Sequence, residues 1–246
     1  MSAGQRFSEP TCFGIGSEYQ NELTLNCLFR KLENCSSFPM KSRFLNKIIR
    51  RLQTLRGLGE GFTEAGFHQR ERFRKDYQFL CNVILDQIEF NSVFDVGCAN
   101  GFLLEGFMAA GKRVGGIELS PDVRFILSPD LNLCVEVGDF SGAKGRWDLV
   151  TCVEVAEHIP PLRSEDLVDT LCRLATDRIL FSAALPGQKG HGHINCRPKS
   201  DWLNWFETRG WVLSDLQTKK IQDISSSVTE ATWLVENIFV LYRIQC

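Results

Sequence analysis

The chain has 246 residues, 43% of them apolar, and a formal net charge of −2. That length and apolar content suffice for one full α/β core with an extension, and argue against two complete domains. The near-neutral charge argues against bulk attraction to nucleic acid or an anionic membrane, although a total does not exclude a local basic patch.

The opening stretch is polar and broken by Pro10, Gly14 and Gly16, so it lacks the apolar centre of a signal peptide. No later run approaches the length of a bilayer span, and the expectation is a soluble, cytoplasmic protein. Ten cysteines are scattered with no Cys-x-x-Cys pair, and Cys81, Cys134, Cys152 and Cys172 fall inside expected strands or helices. They read as small buried residues rather than a disulfide framework.

In chain order, residues 1–38 carry little periodicity apart from a short helical pattern near 18–31. Residues 41–56 are sharper. Phe44, Ile48, Leu52 and Leu55 share one helical stripe beside Leu45 and Ile49, with six basic residues and no acid. This basic amphipathic helix is a candidate RNA contact, but packing one face and solvating the other is the more common fate of such a pattern. Gly57, Gly59 and Gly61 then form a link, and the expected boundary separates an N-terminal arm and helix (1–67) from a main domain (68–246). The stripe Phe73, Tyr77, Leu80, Ile84 and Ile88 predicts a helix over 68–89. Its Arg70, Arg72, Arg74 and Lys75 fit a solvated face better than an anionic substrate site.

The run 92–101, Ser-Val-Phe-Asp-Val-Gly-Cys-Ala-Asn-Gly, reads as a buried strand that breaks into a glycine-rich turn and opens a helix over 102–110. Such a junction is expected to offer bare backbone N–H groups to a ligand, with Gly97 and Gly101 letting the backbone approach where a Cβ would collide. Asp95 closes the strand. Glu118 closes the next one, at about the spacing of a carboxylate that grips a ribose in a nucleotide-binding βαβ unit. A ribose-bearing cofactor is therefore the leading inference. A dinucleotide fingerprint is disfavoured, since no Gly-x-Gly-x-x-Gly is present.

Beyond that unit, strands are predicted at 113–119, 133–138, 147–155, 178–184, 211–218 and 237–244. Helices are predicted at 121–127, 163–175 and 199–209, with a short one between Ser226 and Leu234. The alternation predicts a mostly parallel sheet with helices on both faces.

Asp-Val-Gly-Cys-Ala-Asn-Gly (95–101), Gly-Ile-Glu (116–118), Gly-Asp-Phe (138–140) and Trp-Asp-Leu-Val-Thr-Cys-Val-Glu-Val-Ala-Glu-His (147–158) resemble, in order and spacing, the motifs of the class I S-adenosylmethionine-dependent methyltransferases. The resemblance runs roughly from Arg72 to Cys246. It departs at Ala99, where many members carry a third glycine. It implies a Rossmann-like seven-stranded sheet whose last strand inserts antiparallel between its neighbours, preceded here by an N-terminal helical extension. It also implies S-adenosylmethionine as cofactor. Gly97, Cys98, Ala99, Asn100 and Gly101 with Asp95 would serve the methionine end, Glu118 and Leu119 the ribose, and Asp139 and Phe140 the adenine. Cys98 is expected to fill tight space beside the cofactor.

Glu154, Glu157 and His158 follow the fourth strand, beside the place of the transferable methyl. Transfer to a hydroxyl needs a base, and imidazole titrates near neutrality, so His158 is a candidate; loop support is the competing role. The run 190–195, Gly-His-Gly-His-Ile-Asn, brings His193 to the same rim as a second candidate, with Glu154 as a third. Its glycines suggest a segment that closes over substrate, while His191 reads as a surface residue. Trp202 and Trp205 read as anchors for their helix, with a pocket edge as the alternative.

The leading expectation is O-methylation of a small-molecule or saccharide-like acceptor. A metal-free site is favoured. Were a divalent metal bound, Glu154, Glu157, His158 and His193 would be its ligands, an arrangement that resembles the metal-dependent methyltransferases of RNA terminal ribose. A non-catalytic relative that acts as an interaction subunit is the alternative from another class. The acceptor and the oligomeric state are not legible.

Overall fold

The computed structural model describes residues 62–223 and 227–244. The arm, the basic helix over 41–56 and the glycine link lie outside the described residues. The first described helix, α1 (Glu64–Arg70), is capped by Thr63, whose side chain accepts from the Gly66 N–H at 3.4 Å. A 3₁₀ turn (Glu71–Phe73) separates it from α2 (Arg74–Gln87). The single helix expected over 68–89 thus starts earlier and is interrupted. Phe67 and Phe73 both turn inward, yet six residues in an unbroken α-helix would set them about 240° apart. The tighter turn resolves that conflict.

The strands are β1 (Ser92–Val96), β2 (Arg113–Glu118), β3 (Val135–Val137), β4 (Trp147–Val153), β5 (Ala175–Ser182), β6 (Trp211–Leu213) and β7 (Phe239–Arg243). They form one sheet in the order β3-β2-β1-β4-β5-β7-β6. The pairs from β3 to β5 are parallel, and β7 runs antiparallel to both β5 and β6. The remaining helices are α3 (Phe102–Ala109), α4 (Pro129–Cys134), α5 (Ser164–Leu174), α6 (Lys199–Glu207), α7 (Asp215–Gln222) and α8 (Trp233–Glu236).

Alternation along the strands divides the core into two layers. Val93, Leu149, Leu180 and Val240 pack with Leu80 and Ile84 of α2, Leu104 and Phe107 of α3, and Ile221 of α7. Phe94, Val150, Phe181 and Phe239 point the other way, onto Leu167 and Leu171 of α5 and Trp202 and Phe206 of α6. Trp202 is buried against Phe181 with Trp205 set edge-on to it, so it anchors α6 and edges no pocket.

Three expected elements come out differently. The strand over 211–218 stops at Leu213, and α7 begins at Asp215, because Thr218 and Ile221 bury one helical face. The strand over 133–138 shrinks to β3, since Ser128 caps a helix that opens on Pro129 and runs to Cys134. The helix over 121–127 is a 3₁₀ turn (Pro121–Phe125) capped by Ser120. Smaller shifts remain: β5 starts three residues before the expected strand over 178–184, and β4 ends at Val153, two before its expected end. The cysteines among the described residues, Cys81, Cys98, Cys134, Cys152, Cys172 and Cys196, are all free. No helix among the described residues is long and apolar enough to cross a membrane.

Candidate functional site

The parallel strands bring Asp95, Glu118 and Glu154 to the carboxyl ends of β1, β2 and β4, the edge where open α/β sheets bind ligands. Asp95 lies opposite Gly116 on one side and Thr151 on the other. The Thr151 hydroxyl donates to Asp95 Oδ1 at 2.7 Å, while burial pushes the carboxyl up to about 7. Glu118 is pinned by two backbone donors: Ala99 N–H reaches Oε2 at 3.0 Å and Ser120 N–H reaches Oε1 at 2.9 Å. Burial also raises its pKa. Each oxygen keeps a lone pair for a further donor. Leu119, half-buried, follows it.

The glycine turn differs from the expectation in its donors. Four of its N–H groups are engaged within the chain: Gly97 and Cys98 donate to the Ile117 carbonyl (2.8 and 3.3 Å), Gly101 donates to the Cys98 carbonyl (2.8 Å), and Ala99 serves Glu118. The protein's own packing already requires its glycines. Gly97 has φ +76°, and a Cβ there would stand 2.5 Å from Val155; Gly101 has φ +71°, and its Cβ would meet Leu127 at 2.7 Å and Leu131 at 2.8 Å. The collisions are with the protein's own side chains. Ala99 sits at φ +44°, so the methyl that replaces the family's third glycine is carried in left-handed backbone. The Cys98 thiol is buried and shifted well upward by that burial, with Asp95 and Glu118 adding to it, which fits the space-filling role.

Asn100 turns away from the rim to α1, donating to the Phe67 carbonyl (2.9 Å) and to Glu71 (3.3 Å), and leaves its buried Oδ1 without a partner. Two more bonds stitch the same segment across the site: Ser120 Oγ to the Phe62 carbonyl (2.6 Å) and Glu64 N–H to Asp122 (3.1 Å). Residues 62–67, expected to belong to the N-terminal extension, therefore cover the turn.

Asp139 caps a 3₁₀ turn (Phe140–Gly142), and both its oxygens are engaged. Arg163 donates twice, at 2.7 and 2.9 Å, and the Ser141 N–H and hydroxyl donate at 3.0 and 2.6 Å. Burial opposes ionisation here, but the Arg163 and Ser141 bonds outweigh it and hold the carboxyl down at about 2. The Arg163 guanidinium stacks on the buried Phe140 ring, 4.4 Å from its centroid.

After β4 the chain takes a strained step. Glu154 adopts φ +55°, and its N–H donates to the Ser182 carbonyl and hydroxyl (3.3 and 3.0 Å). Its Oε1 accepts from Ser182 Oγ at 2.8 Å and from Asn237 Nδ2 at 3.4 Å. Glu157 is 0% exposed, and neither carboxyl oxygen has a hydrogen-bond partner. Burial, with the nearby Glu154 charge, pushes it up to about 9.

His158 and His193 stand edge to face, ring centroids 5.1 Å apart. His158 Nδ1 lies 3.1 Å from the Gly192 carbonyl and His193 Nδ1 lies 3.1 Å from the Gln188 carbonyl. A carbonyl only accepts, so each Nδ1 carries a proton. Burial pulls His158 down to about 4. His193 Nε2 lies 3.9 Å from Glu157 Oε1. Glu157, His158 and His193 each offer a ligand atom within 4.8 Å of the others, whereas Glu154 turns to Ser182 and Asn237 and stands outside that group.

The loop holding His193 is fastened rather than loose. Ile194 and Asn195 N–H donate to the Glu157 carbonyl (2.9 and 3.0 Å), and Asn195 Nδ2 reaches the Ala156 carbonyl and Ser164. His191 is exposed, as expected.

Sequence reasoning missed Arg163, Ser182 and Asn237. The Tyr77 hydroxyl is shifted upward by burial, with Arg70 opposing and Glu154, Asp95 and Glu157 adding to the shift. Asp95, Glu118 and Glu154 form no ion pair among the described residues. A ligand that brings positive charge and hydroxyl donors fits such a rim, and an anionic one does not.

The methyltransferase domain family model matches residues 66–216. The ubiquinone biosynthesis O-methyltransferase of Aromatoleum aromaticum is 34% identical over 91 residues, 31% of this chain and 39% of that one. The protein of the same name from Thiobacillus denitrificans is 37% identical over 78 residues, 28% of this chain and 33% of that one. The matched segment thus spans about two-fifths or less of these curated relatives. The crystal structure of magnesium protoporphyrin IX methyltransferase from Synechocystis PCC 6803, with bound S-adenosylhomocysteine, superposes with a TM-score of 0.58. At 16% identity, covering 81% of this chain and 100% of that one, it shows a shared fold.

Proposed function

Because the chain belongs to the class I S-adenosylmethionine-dependent methyltransferases, we propose that it transfers the methyl group of S-adenosylmethionine to an oxygen of a small-molecule acceptor. The observation that carries this reading is the rim of Asp95, Glu118 and Glu154, three inward carboxyl groups with no cationic partner among the described residues. Glu118 accepts from the ribose hydroxyls. Asp95 and the turn through Gly97, Cys98, Ala99, Asn100 and Gly101 hold the methionine end, Leu119 lies along the ribose, and Phe140 with Asp139 borders the adenine. Bound there, the cofactor supplies an electrophilic methyl on a sulfonium.

His158 and His193 turn their Nε2 atoms away from the carbonyls that hold Nδ1, beside Glu157, and either accepts the proton of an acceptor hydroxyl as its oxygen is alkylated. Phe62, packed edge-on at 4.9 Å against His158, shields that corner from water. The names of the matched relatives support oxygen as the acceptor atom. The free thiols fit a reducing compartment, and a cytoplasmic location belongs to the same proposal.

A second reading has its own observation. The buried, partnerless carboxyl of Glu157 beside two imidazoles suits a divalent cation, with Glu154 nearby, which would polarise the acceptor hydroxyl. RNA terminal ribose is the acceptor this reading favours. The basic helix over 41–56 that would meet RNA lies outside the described residues.

Calorimetry with S-adenosylhomocysteine tests the binding step. No heat of association on folded protein sinks the proposal. Labelled methyl transfer to a panel of catechols, phenols, sugars and short RNAs then identifies the acceptor. Activity that survives EDTA supports the imidazole base, and activity lost to EDTA and restored by magnesium or manganese supports the cation.

A further inference from the structure

Two of the candidate catalytic groups are joined through hydrogen bonds that link three segments of the chain. Glu154 Oε1 accepts from Asn237 Nδ2 at 3.4 Å, and the same Nδ2 donates to Gln188 Oε1 at 2.9 Å. Gln188 in turn organises the loop after β5. Its Oε1 also accepts from the Leu185 N–H (3.0 Å), and its backbone carbonyl accepts from His193 Nδ1 (3.1 Å). From the other side, Ser182 Oγ holds Glu154 Oε1 at 2.8 Å. Asn237 is only 7% exposed and sits between α8 and β7, the strand that pairs with β5. Its position is thus set by the sheet itself.

The chemistry needs such a link. Glu154 holds left-handed backbone, a conformation that persists only where its surroundings over-determine it. His193 rides on the loop after β5; Ile194 and Asn195 fasten that loop's backbone to the Glu157 carbonyl, and the Gln188 carbonyl takes the imidazole's Nδ1–H. An amide is the side chain suited to bridge them, because its nitrogen offers two donors and both partners, a carboxylate oxygen and an amide oxygen, only accept.

We propose that Asn237, acting through Gln188, is a positioning residue that fixes His193 relative to Glu154. The proposal rests on the reading above, in which these two groups work at the methyl-transfer site. It makes the loop after β5 depend on a residue about fifty positions later in the chain, at the foot of β7.

The test uses the full chain labelled with ¹⁵N histidine, where long-range proton–nitrogen spectra report which imidazole nitrogen carries the proton, together with S-adenosylhomocysteine calorimetry. In the natural chain His193 should show a single Nδ1–H form. Asn237→Ala should convert it to a mixture containing the Nε2–H form, and should weaken S-adenosylhomocysteine roughly three- to tenfold, the worth of about one hydrogen bond. Asn237→Asp keeps the shape but faces two acceptors with a third, and should do the same. Gln188→Ala should loosen His193 while leaving the S-adenosylhomocysteine affinity within about twofold.

The control is Gln222→Ala. Gln222 donates to the Glu236 and Ile238 carbonyls on either side of Asn237, so its loss perturbs that segment without touching the path. An unchanged His193 signal in Asn237→Ala and Asn237→Asp overturns the proposal, and so does an equal change in Gln222→Ala. If Asn237 variants fail to fold, Gln188→Ala decides alone: a natural His193 signal there overturns it. Absence of S-adenosylhomocysteine binding by the natural chain defeats the cofactor reading instead, and leaves the tautomer result to stand by itself.

Discussion

Gly97→Ala separates two reasons for the first glycine of the turn. A Cβ at residue 97 would lie 2.5 Å from one Val155 methyl and 3.0 Å from the other, in backbone at φ +76°. The left-handed conformation costs a non-glycine residue about 1–2 kcal/mol. Forcing a methyl into packed space adds about 1–3 kcal/mol, so the variant should lose roughly 2–5 kcal/mol. Trimming Val155 to alanine removes both colliding methyls and leaves its Cβ at 3.4 Å, an ordinary contact. Urea melts of the natural chain, both single variants and the double variant should therefore show a favourable coupling of about 1–3 kcal/mol, with the conformational part left over. Additive costs, or a Gly97→Ala loss below about 1 kcal/mol, would refute the steric account. Were the glycine kept for ligand approach instead, Gly97→Ala would lose only the conformational part in stability, with no coupling to residue 155, and would lose S-adenosylhomocysteine whatever stood there.

Arg163→Ala should destabilise the chain by about 1 kcal/mol at neutral pH, the shift of Asp139 discounted for its one-third exposure. The Asp139 pKa is depressed in the folded state, so this contribution is complete above the unfolded value near 4 and is lost as pH falls toward about 2; the gap between the two proteins should close over that window. A gap that widens in acid contradicts the pairing. Asp76, 3% exposed, accepts backbone N–H bonds from Thr229 (3.1 Å), Glu230 (2.8 Å) and Ala231 (2.7 Å), fixing the segment that leads to α8. Asp76→Ala strands those donors and should cost about 3–5 kcal/mol in denaturant, with Asp76→Asn costing less; equal, small losses would show that water satisfies the donors. Glu118→Gln keeps volume while removing charge, and should weaken S-adenosylhomocysteine about ten- to a hundredfold in calorimetry. An unchanged affinity removes Glu118 from the ribose.

The sequence made legible what is local. β1, the turn and α3 follow from eighteen consecutive residues, 92–109, in which a buried strand's apolar run, the turn glycines at 97 and 101, and a helical segment follow one another directly. Glu118 and Asp139 were placed by strand ends in the same way. Period alone failed where a cap intervened: Val212 and Leu213 alternate like the start of a longer strand, but Ser214 and Asp215 open a helix whose buried positions, Thr218 and Ile221, are too polar and too few to announce it. A second reason for the glycines was not legible, since Val155, Leu127 and Leu131 come against residues 97 and 101 only after the sheet has formed.

The polar partners were the least legible, and their placement explains why. Arg163, Ser182 and Asn237 sit 24, 28 and 83 residues from the carboxylates they hold, and nothing in their own neighbourhoods marks them. What brings them into reach is strand order: β5 lies beside β4, and β7 enters between β5 and β6, carrying Asn237 at its foot to the edge where β4 ends. The reversed last strand therefore does more than close the sheet. Run parallel, β7 would place its opposite end at that edge, and the amide that bridges Glu154 and Gln188 would lie a strand's length away. The antiparallel insertion implied by four short motifs thus fixes the geometry of a site to which β7 contributes no motif of its own.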